Sequence, residues 1–449
     1  MQNDTQEMQT LPGVADFPHR MDAEGDEQVE RAIRLLDGHI DLEGSARYSG
    51  ALRRRRVVQS ALALLRLVMV YALTDYSLRM VGLWGTVMDW GSLSKNAVRK
   101  RLRQCQGWIG VLIVHLLVRG ALNVPACGPY RLRLIDVSNV SQPGHRKIDW
   151  RLHLEVAGHP LRIAGVRLTD GKVGESLTHW PMAANDLVLA DRIYGVARSL
   201  GVVLGAGAFF VIRIGWHNLP VSEREGNRFV IADWLKLLST DPAAPPAQRR
   251  VWVSTPQGRF PIRLIARAIP PEKAQRIRQR LRAETKHKGR KLDERSLLAA
   301  GYVLVVSNLP DTCRAADILA LYRFRWQVEL VFKRLKSLLG FDQLRVTGDP
   351  QLAQVYLLTK ILVALLLGEA EWRLALNAPG SFQDPQHPLS RWRLQQLLLE
   401  AFRTAFCGSL TVERVLAHLP QLARYLCDEP RRRQRQCAVW GFPDIFAAA

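Results

Sequence analysis

Tyr322-Arg-Phe-Arg-Trp-Gln-Val-Glu-Leu-Val-Phe-Lys-Arg-Leu-Lys336 decides how this 449-residue chain is read. At about 100° per residue, a helix through it sets Tyr322, Arg325, Glu329, Lys333 and Lys336 within an arc of roughly 80°. Phe324, Val328, Val331, Leu335 and Leu338 fall on the other side, which suits a core. The polar face carries one carboxylate among cations. Two readings are open: Arg325, Glu329 and Lys333 form a solvated ion-pair ladder, or Glu329 belongs to a site that handles phosphate.

Upstream, the apolar period changes from that of helices to that of strands. Arg131–Val140, Ile148–Val156 and Leu161–Thr169 read as three consecutive strands, and Asp186–Ala190 as a short apolar fourth. A helix over Tyr194–Leu204 and a strand over Phe209–Ile214 follow, giving an α/β order with parallel pairing toward its end. Asp136 lies in the middle of the first strand, where a carboxylate is costly unless paired or bound to metal. Asp191 stands at the carboxyl end of the fourth, where open α/β sheets place their sites. Taken singly, Asp136 reads equally as a satisfied structural residue and Asp191 as a helix N-cap. Together with Glu329 they make an all-oxygen set suited to two Mg²⁺ ions. Such a pair, about 4 Å apart, activates a water or 3′-hydroxyl and stabilises the leaving oxygen of a phosphodiester.

The rest of the chain divides around this core. Residues 1–50 form an acidic lead, with helix expected near Glu27–Leu36. Residues 51–125 form a helical region. There Asp75–Met88, a turn at Asp89-Trp-Gly-Ser92 and Ser94–Cys105 give a helix-turn-helix pattern, with Ser94 as N-cap. The second helix carries Lys95, Arg99 and Arg103 as candidate DNA contacts; an ordinary hairpin with a solvated basic face fits the same residues. The catalytic region spans 126–345, interrupted by an insertion at 216–300 whose β-hairpin turns at Pro256-Gln-Gly258. A basic arm, Pro271–Arg295, holds ten Lys or Arg against four acids. A strand over Gly301–Ser307 precedes the long helix of Asp311–Leu339, and residues 346–449 are mostly helical, a region suited to dimerisation.

The net charge is +22, yet residues 1–50 contain eleven acids and four Arg, so the excess positive charge lies in the remainder. A basic chain of this kind fits polyanion partners, nucleic acid above all. A hydrophobic content of 48% argues for a folded protein. The six cysteines lack C-x-x-C spacing and read as free thiols of a reducing cytoplasm. The acidic start has no apolar secretory segment. The apolar runs Val57–Leu73 and Val355–Leu367 are too polar or too short to span a bilayer, so no membrane partner is expected.

The spacing Tyr322-x2-Arg325-x3-Glu329-x6-Lys336 resembles, position for position, the YREK signature of the bacterial DDE transposases of the insertion-sequence-four family. Asp136-Val-Ser-Asn-Val-Ser-Gln-Pro-Gly144 with Asp149-Trp-Arg-Leu-His153 is similar to the family's first-Asp motif. Leu189-Ala-Asp-Arg-Ile-Tyr194 is similar to the second, and Ser307-Asn-Leu-Pro310 to the lead into the YREK helix. The resemblance implies an RNase H-like catalytic core with a β-rich insertion, flanked by helical N- and C-terminal regions. It implies Asp136, Asp191 and Glu329 as metal ligands for Mg²⁺, with Mn²⁺ able to substitute. It implies Tyr322, Arg325 and Lys336 as phosphate contacts, Lys333 and Arg192 as helpers, and Tyr302 as a base-stacking residue. It further implies cut-and-paste transposition on inverted-repeat ends, a homodimer in the end-paired complex, and a bacterial, nucleoid-associated location.

Ile193 stands where the family has Gly, and Val137 where it has a smaller residue. The first predicts an altered turn after Asp191. Two other functions fit the same residues: an RNase H-like nuclease without strand transfer, and a DNA-binding relic without catalysis.

Overall fold

Ser60, Ser77 and Ser94 each stand one residue ahead of a helix, and each hydroxyl accepts a hydrogen bond from the N–H three residues on. In the computed structural model, residues 40–122, 129–145, 147–158, 161–289, 291–377 and 390–408 are described, with Val29, Ile33, His418 and Gln421. Most of the helix expected over Glu27–Leu36, the cluster Arg431–Arg435 and three of the cysteines lie outside the described residues.

Helices α1 (Leu42–Tyr48), α2 (Ala61–Leu73), α3 (Leu78–Val87), α4 (Lys95–Gln104) and α5 (Gln106–Leu122) precede the first strand. Strands β1 (Arg131–Val140), β2 (Trp150–Ala157), β3 (Arg162–Asp170) and β4 (Asp186–Ala190) follow, then α6 (Ala197–Gly205) and β5 (Phe209–Arg213). Next come β6 (Val221–Ser222), β7 (Arg228–Phe229), α7 (Ile231–Lys236), β8 (Ala247–Thr255) and β9 (Gly258–Ala268). Helices α8 (Pro271–His287) and α9 (Glu294–Ala299) lead to β10 (Tyr302–Ser307). Helices α10 (Ala315–Arg323), α11 (Trp326–Leu339), α12 (Pro350–Asn377) and α13 (Arg391–Cys407) complete the order.

These elements form two compact units, one of residues 1–114 with 348–449 and one of residues 115–347. In the first, α12 and α13 pack on α2. The rings of Tyr71 and Tyr356 meet edge-on at 5.8 Å, and Trp84 Nε1 donates to the Cys407 carbonyl at 2.7 Å. Leu64, Leu67 and Val68 of α2 and Leu357, Leu362 and Leu366 of α12 are fully buried. Each such side chain contributes about 1.5–3 kcal/mol on burial. The apolar run Val355–Leu367 thus sits inside a 28-residue helix, longer than the run itself. By length and composition α12 passes for a membrane span, the single such helix among the described residues, but most of it is buried within this unit. Helices α3 and α4 pack together across a turn whose Asp89 and Gly91 both take positive φ. Val98 and Leu102 turn the apolar side of α4 inward, leaving Lys95 and Lys100 exposed.

The second unit is built on one ten-stranded sheet in the order β3-β2-β1-β4-β5-β10-β9-β8-β6-β7. The β3-β2-β1 part is antiparallel, and β4 joins β1 and β5 in parallel pairs. The strands of the 216–300 insertion extend this same sheet. The cause is β10: its two edges pair antiparallel with β5 and with β9, so the backbone groups of the core's last strand are satisfied by the insertion. The basic arm 271–295 is divided. Helix α8 ends at His287, Gly289 just beyond it takes φ 60°, and α9 begins only at Glu294.

Candidate active site

Strand register brings the first two carboxylates together. Ile135 of β1 pairs with Ala190 of β4 in the parallel ladder. One step further, Asp136 and Asp191 stand side by side at the carboxyl end of β4, on strands about 4.8 Å apart. The chain after Asp191 makes a 3₁₀ turn, Arg192–Tyr194, closed by Tyr194 N–H donating to the Asp191 carbonyl at 3.0 Å. Ile193 fits this turn. Among the described residues only Asp89 and Asn185 take positive φ without being glycine, and the Ile193 side chain is exposed. Ile193 is not among the positive-φ residues, so this backbone makes no demand for Gly at that position.

Glu329 arrives on α11, which packs against β1. The long helix expected over 311–339 is two helices. Between them the N–H groups of Phe324, Arg325, Gln327 and Val328 each bond three residues back. This is 3₁₀ spacing, which eclipses residues three apart. Tyr322 and Arg325 consequently stack, with the Arg325 Cζ 5.9 Å from the ring centroid. Val328, Val331 and Leu335 bury the opposite face as expected.

Arg325 lies among the carboxylates. Its Nη1 is 3.4 Å from Asp136 Oδ2, and its Nη2 donates to Glu329 Oε1. The Tyr322 hydroxyl donates to Asp191 Oδ1 at 3.4 Å. Burial pushes the Asp136 carboxyl up to about 6; repulsion from Asp191 and Glu329 adds to this, and the Val137 N–H and Arg325 oppose it. Burial and Asp191 push the Tyr322 phenol up to about 12, so it stays a donor. Among the described residues no three His, Cys, Asp or Glu side chains converge closely enough to hold an ion; here Arg325 bridges Asp136 and Glu329. The donor set still suits a hard divalent cation: three carboxylates, all oxygen, already arranged around one positive charge.

Lys333 is exposed and Lys336 half-buried, one and two turns beyond Glu329 on α11. Exposed Arg192 lines a cavity of about 880 Å³ beside Tyr322 and Arg325. Arg213, Arg267, Arg323 and Trp326 also line it, and no acid does. Of these, Arg323 and Trp326 lie within the Tyr322–Lys336 stretch, whereas Arg213 and Arg267 come from β5 and β9 and carry no local signal. Tyr302 borders the same cavity but is 7% exposed within the core cluster, and its hydroxyl donates to the Leu238 carbonyl at 3.3 Å, so its ring is held by packing. In the other unit, Arg99 and Arg103 both reach buried Asp349 at 2.8 Å, while Lys95 faces solvent. Among the described cysteines, Cys105, Cys313 and Cys407 are free thiols.

Comparison with known proteins gives a consistent result. Residues 128–366 match the Transposase DDE domain family. The putative transposase InsL for insertion sequence element IS186A of Escherichia coli (strain K12) is 37% identical over 337 residues, 73% of this chain and 90% of that protein. The transposase for insertion sequence element IS421 of Escherichia coli is 37% identical over 338 residues with the same coverage. The transposase for insertion sequence element IS231F of Bacillus thuringiensis subsp. israelensis is 27% identical over 113 residues, 25% of this chain and 24% of its own.

Proposed function

The chain belongs to the DDE transposase family, and we propose that Asp136, Asp191 and Glu329 are the carboxylates with which it cuts and joins DNA. The observation that carries this is the parallel register of β1 and β4, which sets Asp136 beside Asp191, with Arg325 tying Asp136 to Glu329. An RNase H-like core is supported by the order β3-β2-β1-β4-β5, antiparallel on one side of β1 and parallel on the other.

Transposases of this family use divalent metal ions. Asp136, Asp191 and Glu329 would hold Mg²⁺, or Mn²⁺ in its place, which would supply Lewis-acid activation of the attacking oxygen and charge stabilisation of the leaving one. The protein's own groups do the rest. Asp136, Asp191 and Glu329 supply oxygens. Arg325, Tyr322 and Lys336 bind phosphates of the transposon end, a bidentate guanidinium being suited to that task. Lys333 and Arg192 add positive charge at its edge. Hydrolysis breaks the bond between phosphorus and the 3′-oxygen at the element's end. The freed 3′-hydroxyl then attacks a target phosphodiester, forming one P–O bond as another breaks.

The helices of 51–125 bind the inverted repeats through the exposed side of α4, and α8 tracks the backbone, so binding weakens steeply with salt. Two ends must be paired, which favours a homodimer in the end complex. A labelled transposon end incubated with Mg²⁺ or Mn²⁺ tests the assignment. Glu329→Gln should bind the end and leave it uncut; normal cutting by this variant would overturn the catalytic reading.

A further inference from the structure

Glu175 lies outside every motif considered above, yet the chain fixes it beside the carboxylates. Two residues before it, the Val173 carbonyl accepts a hydrogen bond from Arg151 Nη1 of β2 at 2.6 Å. One residue before it, the Gly174 carbonyl is 2.9 Å from His179 Nε2. Two residues after it, fully buried Leu177 donates its N–H to Ser199 Oγ of α6 at 3.3 Å. The loop start is tied as well, Gly171 N–H bonding the Asp149 carbonyl at 2.9 Å. Because Arg151 stands opposite Asn139 of β1, these ties hold the 171–176 loop beside the carboxyl-terminal half of β1, in which Asp136 lies three residues before Asn139.

The electrostatics agree with that placement. Burial raises the Glu175 carboxyl, repulsion from Asp136 and from Asp191 raises it further, and Arg151 opposes them. A second observation is independent of the acids. The Tyr194 hydroxyl is fully buried and, among the described residues, has no hydrogen-bond partner, an arrangement that normally costs about 1–3 kcal/mol. It sits in the field of Glu175, Asp136 and Asp191 together. Arg151 Nε is likewise buried and, among the described residues, unpaired. Both orphaned donors couple electrostatically to Glu175. Buried donors of this kind call for a polar partner.

We propose that Glu175 is a fourth carboxylate of the Asp136–Asp191–Glu329 centre and lends an oxygen to the divalent cation held there, an assignment that rests on the reading of that centre given above. With the cation present, the like charges of Glu175, Asp136 and Asp191 are offset. The Tyr194 hydroxyl and Arg151 Nε then gain oriented acceptors, the carboxylate or its water.

Titration of the full-length protein with Mn²⁺, read by the loss of free-ion electron paramagnetic resonance signal, tests this without recourse to cleavage. Glu175→Gln should weaken Mn²⁺ binding by about tenfold or more, a size typical of removing a group that supports a metal site. Glu175→Asp should recover part of that loss. The melting temperature of Glu175→Gln should equal or exceed that of the parent, since a buried repulsion is removed. If Glu329→Gln loses Mn²⁺ binding while Glu175→Gln retains it, the proposal falls and the three-carboxylate centre stands. If both variants bind Mn²⁺ as the parent does, the centre itself is misassigned and the proposal falls with it. A lowered melting temperature that Glu175→Asp does not restore would make Glu175 a structural residue and overturn the proposal.

Discussion

The Arg325 guanidinium lies 3.4 Å from the Asp136 carboxylate and bonds Glu329 one helical turn away, so a cation of the protein occupies the centre of its own acid cluster. Only 14% of the Arg325 side chain is exposed, and both its partners are acids of the proposed site. The pairing opposes the burial and, to a lesser degree, the carboxylate repulsion that lift Asp136. It also places Arg325 in competition with any divalent ion. Arg325→Ala should therefore respond more strongly to Mn²⁺ without DNA. The rise in melting temperature on adding Mn²⁺ should exceed that of the parent by a few degrees, on the scale of roughly 2–4 °C per kcal/mol for a unit this size. An equal or smaller rise would count against the competition. The same variant should hold a labelled transposon end about tenfold less tightly, the loss expected for a hydrogen bond to a charged group.

Tyr302 separates packing from recognition. Its ring belongs to the core shared by β5, β9 and β10, and its hydroxyl serves a backbone carbonyl. Tyr302→Phe should lose only that hydrogen bond, about 1 kcal/mol, with end binding unchanged. Tyr302→Ala should cost roughly 3–5 kcal/mol of stability in urea unfolding. Weakened end binding by Tyr302→Phe in a fully folded protein would restore the stacking role that the burial argues against.

The strands, and the places of Asp136, Asp191 and Glu329 on them and on the helix, were legible because their signals are local. Alternation marks β1, an acid in an apolar strand marks Asp136, and the helical face collects Tyr322 to Lys336. What escaped depends on groups distant in sequence. No periodicity reveals that 3₁₀ spacing at Phe324–Val328 stacks Tyr322 on Arg325, because the φ and ψ values differ little from those of an α-helix. Joining the insertion to the core sheet depends on both edges of β10 finding partners, a long-range pairing. Glu175 was invisible for the same reason: its neighbours are set by Arg151 and Ser199, not by adjacent residues. The basic face of α4 was read as uniform, whereas one buried acid divides it.

That acid is Asp349, 4% exposed, which binds Arg99 and Arg103 and caps α12 through the Leu352 N–H at 3.2 Å. Burial alone would raise its carboxyl; the two arginines and the Leu352 N–H together hold it below the usual range. Asp349→Asn should destabilise the protein by roughly 2–4 kcal/mol, since two guanidinium groups lose their shared acceptor. Lys95→Ala and Lys100→Ala should instead leave stability within about 0.5 kcal/mol. Each should lower the salt dependence of end binding by about one counterion. A salt slope unchanged in the Lys95 and Lys100 variants would move the DNA-binding face away from α4.

His153 supplies a pH signature in the same sheet. It is fully buried opposite Val137 of β1, its Nε2 lies 2.9 Å from Thr169 Oγ1, and its Nδ1 has no partner among the described residues. Burial pushes the ring's pKa down from 6.5 to about 4, helped by His179, Arg167 and Arg151. The folded-state value lies below the unfolded one, so the unfolded chain takes up this proton first. The neutral ring's contribution is complete above pH 6.5 and is lost as pH falls through about 4. Over that window the parent should lose roughly 2–3 kcal/mol more than His153→Gln, which has no ring to protonate. Urea unfolding of both proteins at several pH values measures the difference. A gap between parent and variant that stays constant from pH 7 to about 4 would mean that His153 is not held neutral by its burial.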